Sequence, residues 1–166
     1  MLNFTGIKES NEFVLVDKGE YEVIVNLSWK KPVSGGDPYI NCAFKIRKDV
    51  DQKFGGRIIW DSIYKDKKTG DFQKNKINGL LSTIKEEERK KSFNDYDELI
   101  QYLNDKPMRV VIDLANKDFN DPNSEKKNIV KYMSYLPTNF PEVKNIDEQE
   151  IETKLPEGFS LSDLPF

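Results

Sequence analysis

Residues 19–47 read GEYEVIVNLSWKKPVSGGDPYINCAFKIR, two alternating stretches on either side of a turn. The first, residues 20–31, places apolar side chains on one face: Tyr21, Val23, Val25, Leu27 and Trp29. The second, residues 39–47, does the same with Ile40, Cys42, Phe44 and Ile46. A period of two predicts β-strands with one buried face. The glycines and prolines of residues 32–38 predict the turn between them.

A third strand and a first helix are predicted downstream. The Gly55-Gly56 break precedes residues 57–65, which are rich in β-branched and aromatic side chains. The pattern then changes to that of an amphipathic helix, with apolar residues spaced i, i+3, i+4 and i+7. The residues with this spacing are Ile77, Leu80, Leu81 and Ile84. The charged residues 85–91 either extend this helix or form a loop.

A second helix and two further strands complete the order. Asp95 is followed three residues later by Glu98, the pattern of an N-terminal capping box. Pro107 prevents this helix from continuing. Two more strands are predicted, separated by a polar loop at residues 116–127; they cover residues 109–114 and 128–136.

The order of elements predicts a mainly β domain with a helical insert, in the α+β class. Five strands, with helices between strands three and four, fit a five-stranded OB-like barrel. A two-layer α+β sheet is the alternative. We expect residues 1–136 to form this domain. Residues 137–166 combine recurrent prolines with many acids, which predicts a flexible, disordered acidic C-terminal tail.

The composition excludes several classes of enzyme. The 166 residues include no histidine, which removes histidine-based catalytic triads and the common zinc sites. The Asp- and Asn-rich residues 113–123 lack the spacing of a calcium-binding EF-hand and predict a turn instead. We therefore expect no enzymatic activity, no catalytic residue, no metal and no cofactor.

The sequence also predicts a compartment. Cys42 is the only cysteine and cannot form an internal disulfide, which fits a reducing environment. The sequence contains no run of about 18 apolar residues, so no transmembrane helix is predicted. The first residues lack the pattern of a secretory signal. We expect a cytoplasmic protein without membrane association.

The charges are distributed unevenly around a net charge of −3. Residues 142–166 contain seven acids and two bases, a net charge of −5. Residues 29–68 contain ten bases and five acids, a net charge of +5. This asymmetry predicts a basic binding surface and an acidic end of the chain.

Aromatic and basic side chains are interleaved in the basic middle of the chain. Aromatic rings stack on the bases of a single nucleic-acid strand whatever their identity, and cations neutralise its phosphates. The sequence therefore predicts a DNA-binding surface on strands two and three and the loops beside them. The candidate residues are Trp29, Lys30, Lys31, Tyr39, Asn41, Lys45, Arg47, Lys48, Arg57, Trp60, Tyr64 and Lys65.

The last four residues form a second candidate site, for a partner protein. Phe166 can fill an apolar pocket while its carboxylate and Asp163 pair with basic groups. The tip consists of Asp163, Leu164, Pro165 and Phe166. It resembles the C-terminal tip of bacterial single-stranded DNA-binding proteins, in which acids precede Ile-Pro-Phe. Leu164 stands here at the isoleucine position.

The body of the chain, residues 1–136, resembles a family of phage proteins often catalogued as a domain of unknown function and found among replication and recombination genes. Three segments carry the resemblance: residues 19–23, residues 29–39 and residues 56–61. The resemblance implies an OB-like fold and single-stranded DNA binding in phage DNA replication or recombination, in the host cytoplasm. It also implies that the tip recruits replication or recombination proteins.

Two questions stay open at this point. A protein–protein interaction module that does not bind DNA is the alternative function, because charge asymmetry also speeds protein association. The sequence does not fix the oligomeric state, and a homodimer is one of the options.

Overall fold

The two alternating stretches pair as an antiparallel ladder in the computed structural model, which describes residues 14–144. The elements, in chain order, are β1 (Gly19–Lys30), β2 (Tyr39–Ile46), β3 (Ile58–Ile63), α1 (Lys74–Ser82), α2 (Tyr96–Leu103), β4 (Lys106–Asn116), β5 (Lys126–Val130) and β6 (Leu136–Pro137). A short 3-10 helix, Glu86–Glu88, lies between α1 and α2. The predicted helices are thus confirmed in number and order.

The strands form one antiparallel sheet in the order β3-β2-β1-β4-β5, and β6 pairs with β4. The Cα atoms of β3 and β5 come within 8 Å of each other. No strand pairing joins β3 to β5 within residues 14–144, so the sheet is not closed. The fold is therefore mainly antiparallel β with two helices, as the α+β class requires. The short β6 is a sixth strand that the sequence pattern did not predict.

The predicted alternation decides which side chains form the core. Ile46, Val23 and Met108 lie side by side on the inner face of the sheet and are fully buried. Burying a side chain of this size contributes about 1.5–3 kcal/mol relative to leaving it exposed. The inner face predicted for β1 and β2 is confirmed. The candidate binding residues are therefore sought on the opposite, outer face.

Helix α2 begins as predicted and packs on the core. Asp95 accepts a hydrogen bond from the backbone N–H of Glu98 at 2.8 Å, which satisfies one of the free donors at the helix N-terminus. The Glu98 carboxylate accepts from Asn94 N–H at 2.7 Å. Leu99 and Leu103 bury the apolar side of the helix. Within residues 14–144, neither this helix nor any other is long and apolar enough to cross a bilayer.

The predicted final strand at residues 128–136 is wrong as a single element. β5 ends at Val130, and Met133 has a left-handed backbone with φ of 58°, which interrupts a strand. Ser134 then turns inward, and its Oγ accepts a hydrogen bond from Val111 N–H at 3.1 Å. β5 instead begins at Lys126, inside the predicted polar loop. The turn at residues 131–134 follows from these long-range contacts and not from the local pattern.

The rest of the predicted loop folds as an Asp- and Asn-rich turn. Asp118 accepts a hydrogen bond from Asn120 N–H at 3.0 Å, and Asp121 accepts one from Asn123 N–H at 2.9 Å. Each aspartate thus caps its own turn. This confirms the turn that was predicted in place of an EF-hand.

The predicted tail begins with a segment that contacts the sheet. Residues 138–144, which we call the strap, lie across one end of the outer face. Glu22 accepts hydrogen bonds from the Thr138 hydroxyl at 2.6 Å and from Asn139 N–H at 2.8 Å. The strap therefore joins the first residues of the predicted tail to the sheet. Residues 145–166, with the predicted tip, lie outside the described residues.

Candidate nucleic-acid interface

The outer face of β2 and β3 carries exposed aromatic rings. Trp60 is 57% exposed and Tyr64 is 54% exposed. Trp60 lies opposite Ala43 on β2, and this small neighbour leaves the indole without a large cross-strand partner. Since β3 is an edge strand, no described strand covers the other side of the ring. Exposed rings on a sheet face are available to stack on a ligand.

Tyr39 and Tyr64 form a second aromatic group on the same face. Their ring centroids are 5.1 Å apart and the rings are tilted by 40°. Tyr64 lies four residues beyond Trp60, which corresponds to roughly 13 Å along a strand. The outer face thus offers two separate platforms, Trp60 and the tyrosine pair, with Asn41 and Ser62 paired between them.

Charged side chains of both signs lie around the tyrosine pair. Lys30 is exposed and lies directly opposite Tyr39 in the β1–β2 ladder. Lys65 and Lys67 line a hollow of about 470 Å³ beside both tyrosines, and Asp37 and Asp66 line it too. Lys31 is exposed just beyond the end of β1. The structure thus brings Lys30 and Lys65 together with the tyrosine pair, and it places Lys31 at the start of the adjoining loop.

Three further candidates lie on β2 or in the connection between β2 and β3. Lys45 is half-buried on β2, opposite Ile58. Lys48 is exposed in the connection between β2 and β3. Arg57 is half-buried just before β3 and faces the gap toward β5. The ladder therefore places Lys45 on the outer face, while Lys48 and Arg57 lie in the connection that leads to β3.

Trp29 must be removed from the predicted surface. It points to the inner side of the sheet, where its Nε1 donates a hydrogen bond to Asp97 Oδ1 at 2.6 Å. Its ring lies 5.4 Å from that of Phe72. The alternation already grouped Trp29 with the inward residues of β1. Trp29 therefore joins α2 to the sheet and does not face the same side as Trp60.

Arg47 must also be removed. Arg47 is 3% exposed, and its guanidinium forms an ion pair with Asp49 at 2.7 Å. It also donates hydrogen bonds to the carbonyl oxygens of Phe140 at 2.7 Å and Glu142 at 3.0 Å. The hydrogen bonds from Arg47 hold the pKa of Asp49 below its usual value. The Arg47 side chain points to the outer face, as predicted, but the strap covers it.

The gap between β3 and β5 forms a cleft of about 1,020 Å³. Trp60 lines one wall, and Lys126 and Lys127 line the other. The sequence reasoning missed both lysines because residues 116–127 were predicted as a loop. A Lys-Lys pair just before the β-rich Ile129 and Val130 was the signal that could have placed them on a strand.

Phe119 is another residue that the sequence reasoning missed. It is 94% exposed, in the connection between β4 and β5. The ends of this connection are joined by a hydrogen bond from Lys117 N–H to the Glu125 carbonyl oxygen at 2.7 Å. Both of these end residues line the cleft. An exposed apolar ring between two turn-forming aspartates was a signal for a binding loop.

Comparisons with known proteins give the family and no more. No curated protein matches the chain. The model of the family described as "Protein of unknown function (DUF669)" matches residues 4–154, which is most of the 166 residues. By this match, the chain belongs to the DUF669 family.

Proposed function

We propose that this protein binds single-stranded DNA without sequence preference, through the outer face of β2 and β3. The observation that carries the proposal is the exposed ring of Trp60 beside the Tyr39–Tyr64 pair, with lysines around them. Base stacking on such rings contributes about 1–3 kcal/mol per base, and any base can supply it. Lysines beside the rings supply the salt-dependent phosphate contacts.

The strand order supports an OB-like reading of the open sheet. OB-type barrels are partly open and bind oligonucleotides on strands two and three and on the first and fourth loops. Here β2 and β3 carry the rings, and the first loop, residues 31–38, begins with Lys31. The fourth loop, residues 117–125, carries Phe119. The two loops and two strands with the relevant chemistry are thus those that an OB-like protein would use.

We place this activity in phage DNA replication or recombination, because the chain resembles phage proteins of that setting. In this proposal the protein coats exposed single strands and protects them. Residues 163–166 then recruit a replication or recombination protein, as the resemblance of the tip to bacterial single-stranded DNA-binding proteins suggests. The acidic residues before the tip would keep it away from DNA by charge repulsion.

Anisotropy of a fluorescein-labelled oligo-dT tests the proposal. Trp60→Ala should weaken binding by about 5- to 150-fold, the equivalent of one lost stacking contact. Tyr132→Ala is the matched control, because Tyr132 is 65% exposed but lies in the turn after β5. Its affinity should equal that of the wild type. Absence of wild-type binding at low salt and micromolar protein would exclude the function.

A protein-interaction module is the second candidate, and one observation favours it. Ile58 is 40% exposed and lies two residues from Trp60 on the edge strand β3. Exposed apolar groups on a sheet edge are also typical of protein-docking surfaces. The same titration separates the two functions, since a module of this kind gives no anisotropy change with DNA.

A further inference from the structure

The cleft between β3 and β5 exists because the sheet is not closed. Both strands are edges of the described sheet. Residues 56–60 form one wall, and residues 125–129 form the other. A volume of about 1,020 Å³ is at the upper end for small-molecule sites, and an elongated ligand suits a gap between two strands.

The charged groups of the cleft favour a polyanion. The four bases that line it are Arg57, Lys117, Lys126 and Lys127, and Glu125 is the one acid among its lining residues. Glu125 is already paired with Lys117 at 2.8 Å. Two strands that lie close together thus bring an excess of positive charge to a single concave surface. Such a surface concentrates anionic ligands.

Trp60 connects the cleft to the proposed DNA-binding face. Its ring is exposed on the outer face and also lines the cleft. A base stacked on Trp60 would therefore have its sugar and phosphates next to the wall that carries Lys126 and Lys127. A peptide strand could also lie along the two edges, but the excess of bases makes a nucleic acid the better match.

We propose that the cleft between β3 and β5 holds the phosphate backbone of the same DNA strand whose bases stack on Trp60. This inference rests on the proposed function. It adds β5 to the binding surface and gives Lys126 and Lys127 the role of phosphate contacts. DNA bound in this way crosses from the tyrosine pair over Trp60 to the open edge of the sheet.

The salt dependence of binding tests the inference. Each phosphate contact on a single strand contributes about 0.7 to the slope of log affinity against log salt concentration. The double variant K126Q/K127Q should lower this slope by about 1.4. The matched control is K85Q/K91Q, which removes two exposed lysines from the connection between α1 and α2. Its slope should equal that of the wild type.

A crosslinking experiment gives an independent readout. Cys42 is the only cysteine and is fully buried, so Lys127→Cys introduces a single accessible thiol for a photo-crosslinker. The labelled protein should crosslink to oligo-dT on irradiation, and protein labelled at Lys85→Cys should not. The full-length chain is used throughout.

The outcomes separate the two proposals. A reduced slope for K126Q/K127Q together with a DNA crosslink at position 127 supports the inference. An unchanged slope, in a protein whose binding Trp60→Ala weakens, overturns the inference and leaves the proposed function intact. Absence of a DNA crosslink at position 127, in a protein that binds oligo-dT, also overturns it. If the wild type does not bind oligo-dT, both proposals are wrong.

Discussion

Trp29 donates a hydrogen bond from its indole Nε1 to Asp97 Oδ1 across 2.6 Å, which ties the end of β1 to α2. Trp60, the other tryptophan of the chain, is exposed on the opposite face of the sheet. The two indoles therefore have different roles, one structural and one proposed for binding.

The two tryptophans should report separately on DNA binding. In Trp29→Phe, the remaining Trp60 fluorescence should be quenched by oligo-dT as in the wild type, because Trp60 stacks on bases. In Trp60→Phe, the remaining Trp29 signal should stay constant. Fluorescence titration at low salt measures both. Quenching that follows Trp29 instead of Trp60 would place the DNA on the wrong face of the sheet.

Trp29→Phe should also have a small cost in stability. It removes the hydrogen bond to Asp97 and part of the contact with Phe72, so the free energy of unfolding should fall by about 1 kcal/mol. Urea denaturation measures the change. Trp60→Phe, at an exposed position, should leave the free energy of unfolding unchanged within about 0.5 kcal/mol.

Arg47→Ala should destabilise the protein strongly. The substitution leaves the Asp49 carboxylate, whose side chain is 5% exposed, without its main partner. It also frees the strap from three hydrogen bonds, those that Arg47 donates to Thr138, Phe140 and Glu142. Breaking a buried ion pair on one side costs about 3–5 kcal/mol. Urea denaturation should show this loss for Arg47→Ala and little change for the exposed neighbour Lys48→Ala.

The ion pair of Arg47 with Asp49 should also make stability depend on pH in acid. The pKa of Asp49 is below its ordinary value of 3.8, chiefly because Arg47 donates hydrogen bonds to it. A carboxyl whose pKa is lower in the folded state stabilises the fold above the unfolded pKa. This stabilisation is lost as the pH falls from about 4, near the pKa of aspartate in the unfolded chain, through the lower pKa of Asp49 in the folded protein. The difference in unfolding free energy between wild type and Asp49→Asn should therefore shrink from pH 6 to pH 2.

Gly79→Ala should destabilise the protein although alanine favours helices. A Cβ at position 79 would lie 2.7 Å from Cδ2 of the Tyr135 ring. That ring cannot retreat freely, because the Tyr135 hydroxyl donates a hydrogen bond to Asp61 at 3.0 Å. The overpacking cost of about 1–3 kcal/mol exceeds the gain of about 1 kcal/mol from helix propensity. Thermal unfolding should show a lower midpoint for Gly79→Ala and an unchanged or higher one for the exposed Asn78→Ala.

The buried face of β1 and the start of α2 could be predicted from the sequence, because each depends on a pattern within one element. The alternation of residues 20–31 placed Val25 in the core, and the spacing of Asp95 and Glu98 placed the start of α2. In each case the signal lies within one element. The alternation also placed Trp60 and Tyr64 on one face of β3, but the register that puts Ala43 opposite Trp60 was not predicted, because a shift by two residues keeps the same faces.

Contacts between distant parts of the chain could not be predicted in the same way. Arg47 is basic and points to the outer face, as a DNA-binding residue would. It is buried because the strap, more than 90 residues later in the chain, covers it. The turn at residues 131–134 depends likewise on Ser134 reaching Val111 of β4. The cleft arises from the meeting of β3 and β5, so no single segment carries a signal for it.

The ring of Phe119 should contribute to DNA binding through the loop between β4 and β5. The ring is 94% exposed, and the loop is held in shape by the turns of Asp118 and Asp121. A ring held out beside a basic cleft can stack on a base without first ordering the loop, which limits the entropy cost of binding.

Phe119→Ala should therefore weaken oligo-dT binding by about 5- to 150-fold, the effect of one stacked base. The free energy of unfolding should not change, because the ring makes no contact with the core. Anisotropy titration measures the affinity, and Phe119→Tyr, which keeps an aromatic face, should restore it. If Phe119→Ala binds oligo-dT as tightly as the wild type while Trp60→Ala binds more weakly, the DNA does not contact the loop between β4 and β5.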